Sequence, residues 1–184
     1  LQITGLDETL SSPGSFTVLA PTNDAFDAFL TSINAASLDD IPVDALTNVL
    51  LNHVIIGEAQ SSSLINGYAS TLAVSGASGT NMSLYINTDD GVTFNGVSSV
   101  TSADVVASNG VVHIVDGVIG LPSVVTFALA DPNFGMLVQA LTRPDLTQSF
   151  VGLLSIPAGS APSPFTVFAP VNSAFENLLT ELGI

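Results

Sequence analysis

The chain has 184 residues, of which 16 are Asp or Glu and one, Arg143, is basic, and its formal net charge is −15. Nucleic acids and anionic membranes are bound through clusters of Lys and Arg, so we expect neither as a partner. The chain has no Cys, which excludes disulfide bonds and thiol catalysis, and its unpaired carboxylates suit a salty, acidic or calcium-containing medium.

The first predicted elements are a short strand and a helix. The strand covers Phe16 to Ala20, which is rich in β-forming residues, and it ends at Pro21. A helix follows, and we expect Asn23 to cap it. Its apolar residues recur at helical spacing, at Phe26, Phe29, Leu30 and Ile33.

A second helix is predicted after Pro42, a residue suited to a first helical turn. Its apolar stripe reaches His53, and the run Val54 to Ile56 then predicts a strand. From Leu84 to Val115, short apolar runs alternate with dipeptides that favour tight hairpin turns, which predicts an antiparallel meander. These dipeptides are Asp90-Gly91, Asn95-Gly96 and Asn109-Gly110.

Helical periodicity returns over Ser123 to Leu141, with a restart at Asp131-Pro132. Pro122 is therefore the predicted domain boundary, between a first domain over residues 1–122 that lacks its N-terminal helices and the N-terminal part of the next domain over residues 123–184. A loop rich in Pro and small residues follows, around Pro157, Pro162 and Pro164.

The most informative feature is an internal repeat, in which Phe16 to Ile33 returns as Phe165 to Leu182 with 10 of 18 positions identical and an offset of 149 residues. This offset matches a whole domain rather than a solenoid repeat of roughly 20 to 50 residues. Residues 150–184 thus align with residues 1–35. We expect tandem domains, with any signal peptide or membrane anchor outside this chain and no membrane insertion within it.

Three stretches, in this order, resemble the fasciclin domain family: FTVLAPTNDAF at 16–26, LLNHVIIGE at 50–58 and ASNGVVHIVDGVIGLP at 107–122. The repeated FTVFAPVNSAF, and DPNFGMLVQAL before it, strengthen the resemblance. It implies an α+β fold in which a wedge or sandwich of β-strands packs against a helical bundle. It also implies tandem domains in secreted or surface-attached proteins that adhere to cells, matrix or glycans.

The resemblance also places one candidate binding pair. A Tyr-His pair of the family, associated with integrin contact in animal members, falls on Asn52-His53, so the Tyr is missing. The structural interpretation is that His53 lies at a helix end with its imidazole bonded to backbone, and that His113 is a core residue of a strand. Asn23 and Asn172, shared by both repeats, are also interpreted as structural.

Catalytic and metal sites find weak support in the sequence. There is no G-x-S-x-G motif and neither His has an obvious partner, so we expect no enzyme and no cofactor. Calcium is the open alternative, because carboxylates cluster at 39–44 and at 89–90 without forming an EF-hand loop. Asn81 begins a glycosylation sequon, which we place in a loop.

We therefore predict a non-enzymatic extracellular module, secreted or attached to the cell surface, whose partner is a cell-surface or matrix protein or a glycan. One alternative is a self-assembling subunit of an extracellular filament or matrix, with other copies of the chain as partner. Another is a glycan-binding receptor module. A first domain without leading helices should expose an apolar groove, and Ser123 to Ser149 of a neighbouring copy could close it by exchange.

Overall fold

The computed structural model describes residues 4–157 and 160–184. It divides into two compact units, which are treated separately below. The first unit extends to Ser75 and continues over Gly79–Leu121, and the second consists of Gly76–Ser78 and Pro122–Ile184.

The first unit is built on a closed sheet of seven strands, in the order β1 to β7, with β7 returning to pair with β1. β1 and β7 run parallel, and every other neighbouring pair is antiparallel. The predicted antiparallel meander is confirmed, since β4 to β7 follow one another through tight turns. The strands are β1 (Phe16–Pro21), β2 (Val54–Ile56), β3 (Gly67–Val74), β4 (Asn81–Asn87), β5 (Thr93–Phe94), β6 (Ser98–Ala107) and β7 (Gly110–Val115).

Two of the predicted turn dipeptides, Asn95-Gly96 and Asn109-Gly110, show why glycine is needed at these positions. Asn95 and Gly96 have φ angles of 51° and 67°, the left-handed values that an Asn-Gly hairpin turn requires. Gly110 opens β7, where it faces Phe16 across the parallel pairing. A Cβ atom at Gly110 would clash with the carbonyl oxygen of Phe16, so only glycine lets β7 approach β1 this closely.

The core lies inside the closed sheet, because alternate side chains of each strand point inward. In β1, for example, Thr17 and Leu19 are buried whereas Phe16 and Val18 are only partly so. The buried cluster consists of Leu19, Ile55, Leu84, Ile86, Phe94, Val115 and Ile119.

From residue 4 onward, the first unit also contains three helices: α1 (Leu6–Ser11), α2 (Asn23–Ser32) and α3 (Val43–Leu51). Short 3-10 turns occur at Leu38–Asp40 and Ser61–Ser63. The mixed α+β fold predicted from the sequence is confirmed, as is the passage from the second predicted helix, α3, into strand β2.

The prediction that Asn23 caps α2 is wrong by one residue. The cap is Thr22, whose Oγ1 accepts a hydrogen bond from the backbone N–H of Ala25 at 3.2 Å. A cap residue needs an extended backbone, and Thr22 has it with ψ at 167°, whereas Asn23 is already helical. The second copy behaves alike: Val171 holds the cap position with ψ at 165°, and Asn172 is the first helical residue.

The described residues of the second unit form four helices: α4 (Val124–Ala130), α5 (Gly135–Leu141), α6 (Phe150–Leu154) and α7 (Asn172–Leu182). Ser123 caps α4, and Asp131 caps the 3-10 turn Pro132–Phe134 that leads into α5, as the restart at Asp131-Pro132 predicts. Within the described part of this unit, none of the four helices has a buried residue, although all are rich in apolar side chains.

The two copies of the repeat share the helix but not the strand. Residues 165–170 form no strand, whereas their counterpart 16–21 is β1. A strand is defined by its hydrogen-bonded neighbours, and β1 obtains these from β2 and β7. The second unit contains no counterpart of these neighbours within the described residues, so a strand over 165–170 is not formed.

Within residues 4–157 and 160–184, no single helix has the length and hydropathy of a membrane span. Only α4 taken together with Pro132–Leu141, a pair bent by 97°, meets those requirements by length and composition.

Candidate functional site

Asn52, the first residue of the predicted binding pair, is completely buried at the end of α3. Its Nδ2 donates to the carbonyl oxygens of Ile119 and Gly120, at 3.2 Å and 3.1 Å, and its Oδ1 accepts from the hydroxyl of Thr71 at 3.1 Å. This amide therefore joins α3 to strand β3 and to the segment that follows β7. A surface ligand has no access to it.

His53 is 2% exposed, and both of its ring nitrogens are occupied by backbone. Nδ1 lies 2.8 Å from the carbonyl oxygen of Val49 and donates to it, while Nε2 accepts from the backbone N–H of Ile119 at 2.9 Å. Burial lowers the pKa of His53, and the hydrogen bond to Val49 offsets this in part. With Nδ1 as donor and Nε2 as acceptor, the imidazole is neutral and lies just after the end of α3.

His113 is completely buried in β7, Asp104 lies 3.9 Å from its Nδ1, and Ser61 bonds to Asp104, so the three residue types of a catalytic triad occur together. Its Nε2 lies 2.9 Å from the carbonyl oxygen of Ala59 and donates to it, and its Nδ1 accepts from the backbone N–H of Asp104. Neither ring nitrogen is left to take a proton from Ser61. The Ser61 hydroxyl instead donates to Asp104 at 2.5 Å, and its hydrogen bonds lower the pKa of that carboxyl.

The acidic clusters have local structural partners. Asp40 accepts from the backbone N–H groups of Ala36 and Ser37, both at 2.9 Å, and so closes the 3-10 turn. Asp89 accepts from the side-chain amides of Asn66 and Asn87. No group of three or more acidic or His side chains arranged to hold a metal occurs among the residues that the structure describes. Calcium dependence stays a prediction.

The predicted glycosylation site lies in a strand rather than a loop. Asn81 is the first residue of β4 and is exposed, and its Nδ2 donates to the carbonyl oxygen of Thr71 at 2.6 Å. The placement in a loop is wrong because Asn81 pairs with Val74 across the β3–β4 hairpin. A glycan on Nδ2 would replace one of the two hydrogens of the amide that bonds to Thr71.

An apolar groove of about 440 Å³ lies on the first unit, between α1, α2 and α3 and over β1. Asn23 and His53 are the polar residues of its lining, and no charged side chain belongs to the lining within the described chain. We call this feature the helix groove. Its apolar lining includes Leu10, Val18, Phe26, Leu38, Leu46 and Leu50.

A second apolar surface of the first unit centres on Tyr68, which is 50% exposed, and Ile65, which is 76% exposed. Both line a depression of about 260 Å³ over Ile55 and Ile86. The Tyr68 ring packs at 5.1 Å, centroid to centroid, on the ring of buried Tyr85 across the β3–β4 pairing. This Tyr68 patch, Ile65 with Tyr68, thus combines an exposed aromatic ring on β3 with an exposed aliphatic side chain from the loop before it, a combination typical of protein-binding surfaces.

Sequence reasoning missed the Tyr68 patch and the role of Thr71 beside Asn52. The alternation in Gly67–Val74 could have placed Tyr68 and Ser70 on the outer face, because Thr71 and Ala73 are the buried positions of β3. No local signal links Asn52 to Ile119, which lies 67 residues further along the chain.

Similar proteins occur in bacteria and animals. The chain is 38% identical over 114 residues to protein sll1483 of Synechocystis, covering 62% of this chain and 59% of that protein. It is 31% identical over 176 residues to transforming growth factor-beta-induced protein ig-h3 of Sus scrofa, and 27% identical over 172 residues to human periostin. These two alignments cover 94% and 92% of this chain but 23% and 18% of those proteins. The chain therefore spans only part of the length of these relatives.

Among solved structures, the chain resembles a FAS1 domain pair from the insect cell adhesion molecule fasciclin I. The TM-score is 0.56 with 23% sequence identity, covering 96% of this chain and 59% of that one, which establishes the likeness in fold. The family model of the fasciclin domain matches residues 1–122, two thirds of the chain and all of the closed sheet. The chain belongs to the fasciclin domain family.

Proposed function

We propose that the chain is a non-enzymatic adhesion module of an extracellular protein, and that it binds a cell-surface or matrix protein through the Tyr68 patch. Membership in the fasciclin family supports adhesion, since fasciclin I, whose fold the chain shares, is described as a cell adhesion molecule. The net charge of −15 fits an extracellular salt environment.

The observation that carries this proposal is which side chains of the first unit are buried and which are exposed. The polar residues that could do chemistry, Asn52, His53 and His113, are buried and bonded to backbone. In contrast, Tyr68 on β3 and Ile65 in the loop before β3 are exposed, and an aromatic ring together with an aliphatic side chain can anchor a partner.

Binding to cells in solution tests the proposal. The chain has neither Lys nor Cys, so an amine-reactive fluorophore labels only its N-terminus and leaves the patch intact. We expect saturable binding to cultured fibroblasts, measured by flow cytometry, and a loss of about tenfold or more in affinity for the double variant Ile65→Ser/Tyr68→Ser.

Val97→Ser is the matched control, because Val97 is also exposed, at 60%, but lies outside the patch, in the turn between β5 and β6. Binding by all three proteins alike would refute the patch as the adhesive surface. A glycan array with the same labelled proteins distinguishes a sugar partner from a protein partner. A strong hit lost in the double variant would favour the glycan-binding alternative.

A second candidate function, a self-assembling subunit of an extracellular filament or matrix, is favoured by one observation. The helix groove and the apolar helices of the second unit are both open to solvent in a single chain.

A further inference from the structure

The rim of the Tyr68 patch carries a carboxylate in direct contact with it. Asp89, in the turn between β4 and β5, accepts a hydrogen bond at 2.8 Å from Nδ2 of Asn66. Asn66 lies between Ile65 and Tyr68 in the chain and lines the same depression. The donor is a neutral amide, so the charge of Asp89 stays uncompensated beside the patch.

Three further exposed carboxylates lie close to the same depression. Asp90 continues the turn that holds the first one. Glu58 directly precedes Ala59, which lines the depression. Asp104 accepts hydrogen bonds from the backbone N–H and the hydroxyl of Ser61, and so lies against the loop that leads into β3. The rim of the patch is therefore acidic on several sides.

The first unit supplies no Lys or Arg to pair with these carboxylates. Arg143 is the only such residue of the chain; it belongs to the second unit and donates to Asp145 at 2.9 Å and 2.6 Å. His113 lies 3.9 Å from Asp104, but the ring nitrogen on that side accepts a backbone hydrogen bond, so the imidazole is neutral. The negative charge of the rim is thus left for a partner to compensate.

The centre of the patch is apolar and aromatic. Ile55 and Ile86, both from the buried cluster, line the depression of about 260 Å³ beneath Ile65 and Tyr68. An apolar side chain of a partner placed there would be removed from water. The half-exposed ring of Tyr68 also attracts cations, because the face of an aromatic ring is negative. An apolar centre with an acidic rim fits a partner of the opposite charge.

We propose that the partner of the Tyr68 patch is a basic segment of a cell-surface or matrix protein. Its apolar side chain lies over Ile55 and Ile86, and its Lys or Arg residues face Asp89 and the neighbouring carboxylates. The apolar contact supplies affinity, while the opposite charges steer the partner to this surface. The same rim repels sulfated or carboxylated glycans, which favours a protein. This inference rests on the proposed function, since it names the partner of the same surface.

Salt distinguishes the binding from the folding of the chain. Screening weakens the attraction between the rim and a basic partner, whereas it relieves the repulsion within the chain itself. Raising NaCl from low to physiological ionic strength at constant osmolarity should therefore weaken binding of the labelled chain to fibroblasts by about threefold or more. Unfolding does not explain such a loss, because the same salt should stabilise the fold.

Variants that neutralise charge locate the attraction. Glu58→Gln/Asp90→Asn removes two charges from the rim and leaves the bond between Asp89 and Asn66 in place. We expect this variant to bind fibroblasts about threefold or more weakly, and with a shallower dependence on salt. The matched control, Asp27→Asn/Asp39→Asn, removes two exposed charges outside the patch, on α2 and the following 3-10 turn. It has the same net charge as the rim variant and should bind as the unaltered chain does.

Treatment of the cells tests the partner. Acetylation of surface amines with an impermeant reagent, together with phenylglyoxal modification of guanidinium groups, removes the cations of the fibroblast surface and should abolish binding of the labelled chain. Sialidase treatment, the control, removes negative charge and should leave binding intact. Binding that is lost after sialidase but kept after the cations are blocked would identify an anionic glycan as the partner and overturn the proposal.

The outcomes distinguish this inference from the adhesive function on which it rests. If Ile65→Ser/Tyr68→Ser loses binding while salt and the rim variant have no effect, the patch is adhesive but its partner is not basic, and this inference alone fails. Equal weakening of the rim variant and its control would assign the attraction to the net charge of the whole chain, which also overturns the proposal. Absence of binding by the unaltered chain would overturn the adhesive function and this inference together.

Discussion

Nε2 of His53 accepts a hydrogen bond from the backbone N–H of Ile119, 2.9 Å away and almost completely shielded from solvent. The other ring nitrogen donates to Val49, so the neutral imidazole has one donor and one acceptor in use. Protonation would turn the acceptor into a second donor that faces the Ile119 N–H. The bridge between α3 and the segment after β7 therefore depends on a neutral His53.

The first prediction concerns pH. Burial lowers the pKa of His53 below its ordinary value of 6.5, so the unfolded state binds more protons than the folded state near and below that pH. The stability from the neutral form is thus complete above pH 6.5 and is lost as the pH falls through the lower, folded pKa. Thermal melts on either side of pH 6.5 should show a smaller acid loss for His53→Gln than for the unaltered chain. Equal losses would contradict this role of His53.

Removing the buried Asn52 amide should destabilise the fold. Asn52→Ala leaves the carbonyl oxygens of Ile119 and Gly120 and the hydroxyl of Thr71 without this partner. We expect a loss of about 2–4 kcal/mol in the free energy of unfolding, measured by urea denaturation. Asn177→Ala, the same change at an exposed position of α7, should alter it by less than about 0.5 kcal/mol. Similar losses for both variants would argue against the network.

The closure of the sheet should be sensitive to a single methyl group. Gly110→Ala would bring Cβ into the carbonyl of Phe16 and disturb the parallel β1–β7 pairing, at a cost of about 3 kcal/mol in a urea titration. Gly120→Ala is the control, because no heavy atom lies within 4 Å of a Cβ atom there. A Gly110→Ala protein as stable as the Gly120→Ala protein would mean that β7 does not close onto β1 in solution.

Salt should stabilise the chain, because 16 acidic residues face one basic residue and their repulsion is screened at higher ionic strength. We expect Tm to rise with NaCl, and to rise further with CaCl₂ at matched ionic strength if carboxylates bind calcium. Chelation after calcium addition should then lower Tm. Identical Tm values in the two salts would mean that calcium does not stabilise the chain and that charge screening alone explains the effect of salt.

The elements that could be predicted from the sequence are those set by short-range patterns. Helical spacing in 26–33 and in 134–141, and the Asn95-Gly96 turn with its left-handed φ angles, depend on residues a few positions apart. The cap of α2 was misplaced by one residue, because Thr22, Asn23 and Asp24 are all good capping residues and only the backbone angle distinguishes them.

Long-range contacts could not be predicted. The hydrogen bond between Asn52 and Ile119 joins segments far apart in sequence, and so does the pairing of β1 with β7. The local sequence around either segment does not indicate which distant segment it contacts. The missing strand at 165–170 has the same origin: the sequence favours a strand, but the described residues of the second unit contain no neighbouring strand to pair with it. Tyr68 could be placed on an outer face, yet its packing on Tyr85 required the β3–β4 register.

The adhesive role is tested most directly by cell attachment to the immobilised chain. Coupling through the N-terminal amine, the only amine of a chain without Lys, presents every molecule in the same orientation. We expect fibroblasts to attach to the unaltered chain and to Val97→Ser, and attachment to fall to the level of a blocked surface for Ile65→Ser/Tyr68→Ser. Equal attachment to all three proteins, or none to the unaltered chain, would contradict it.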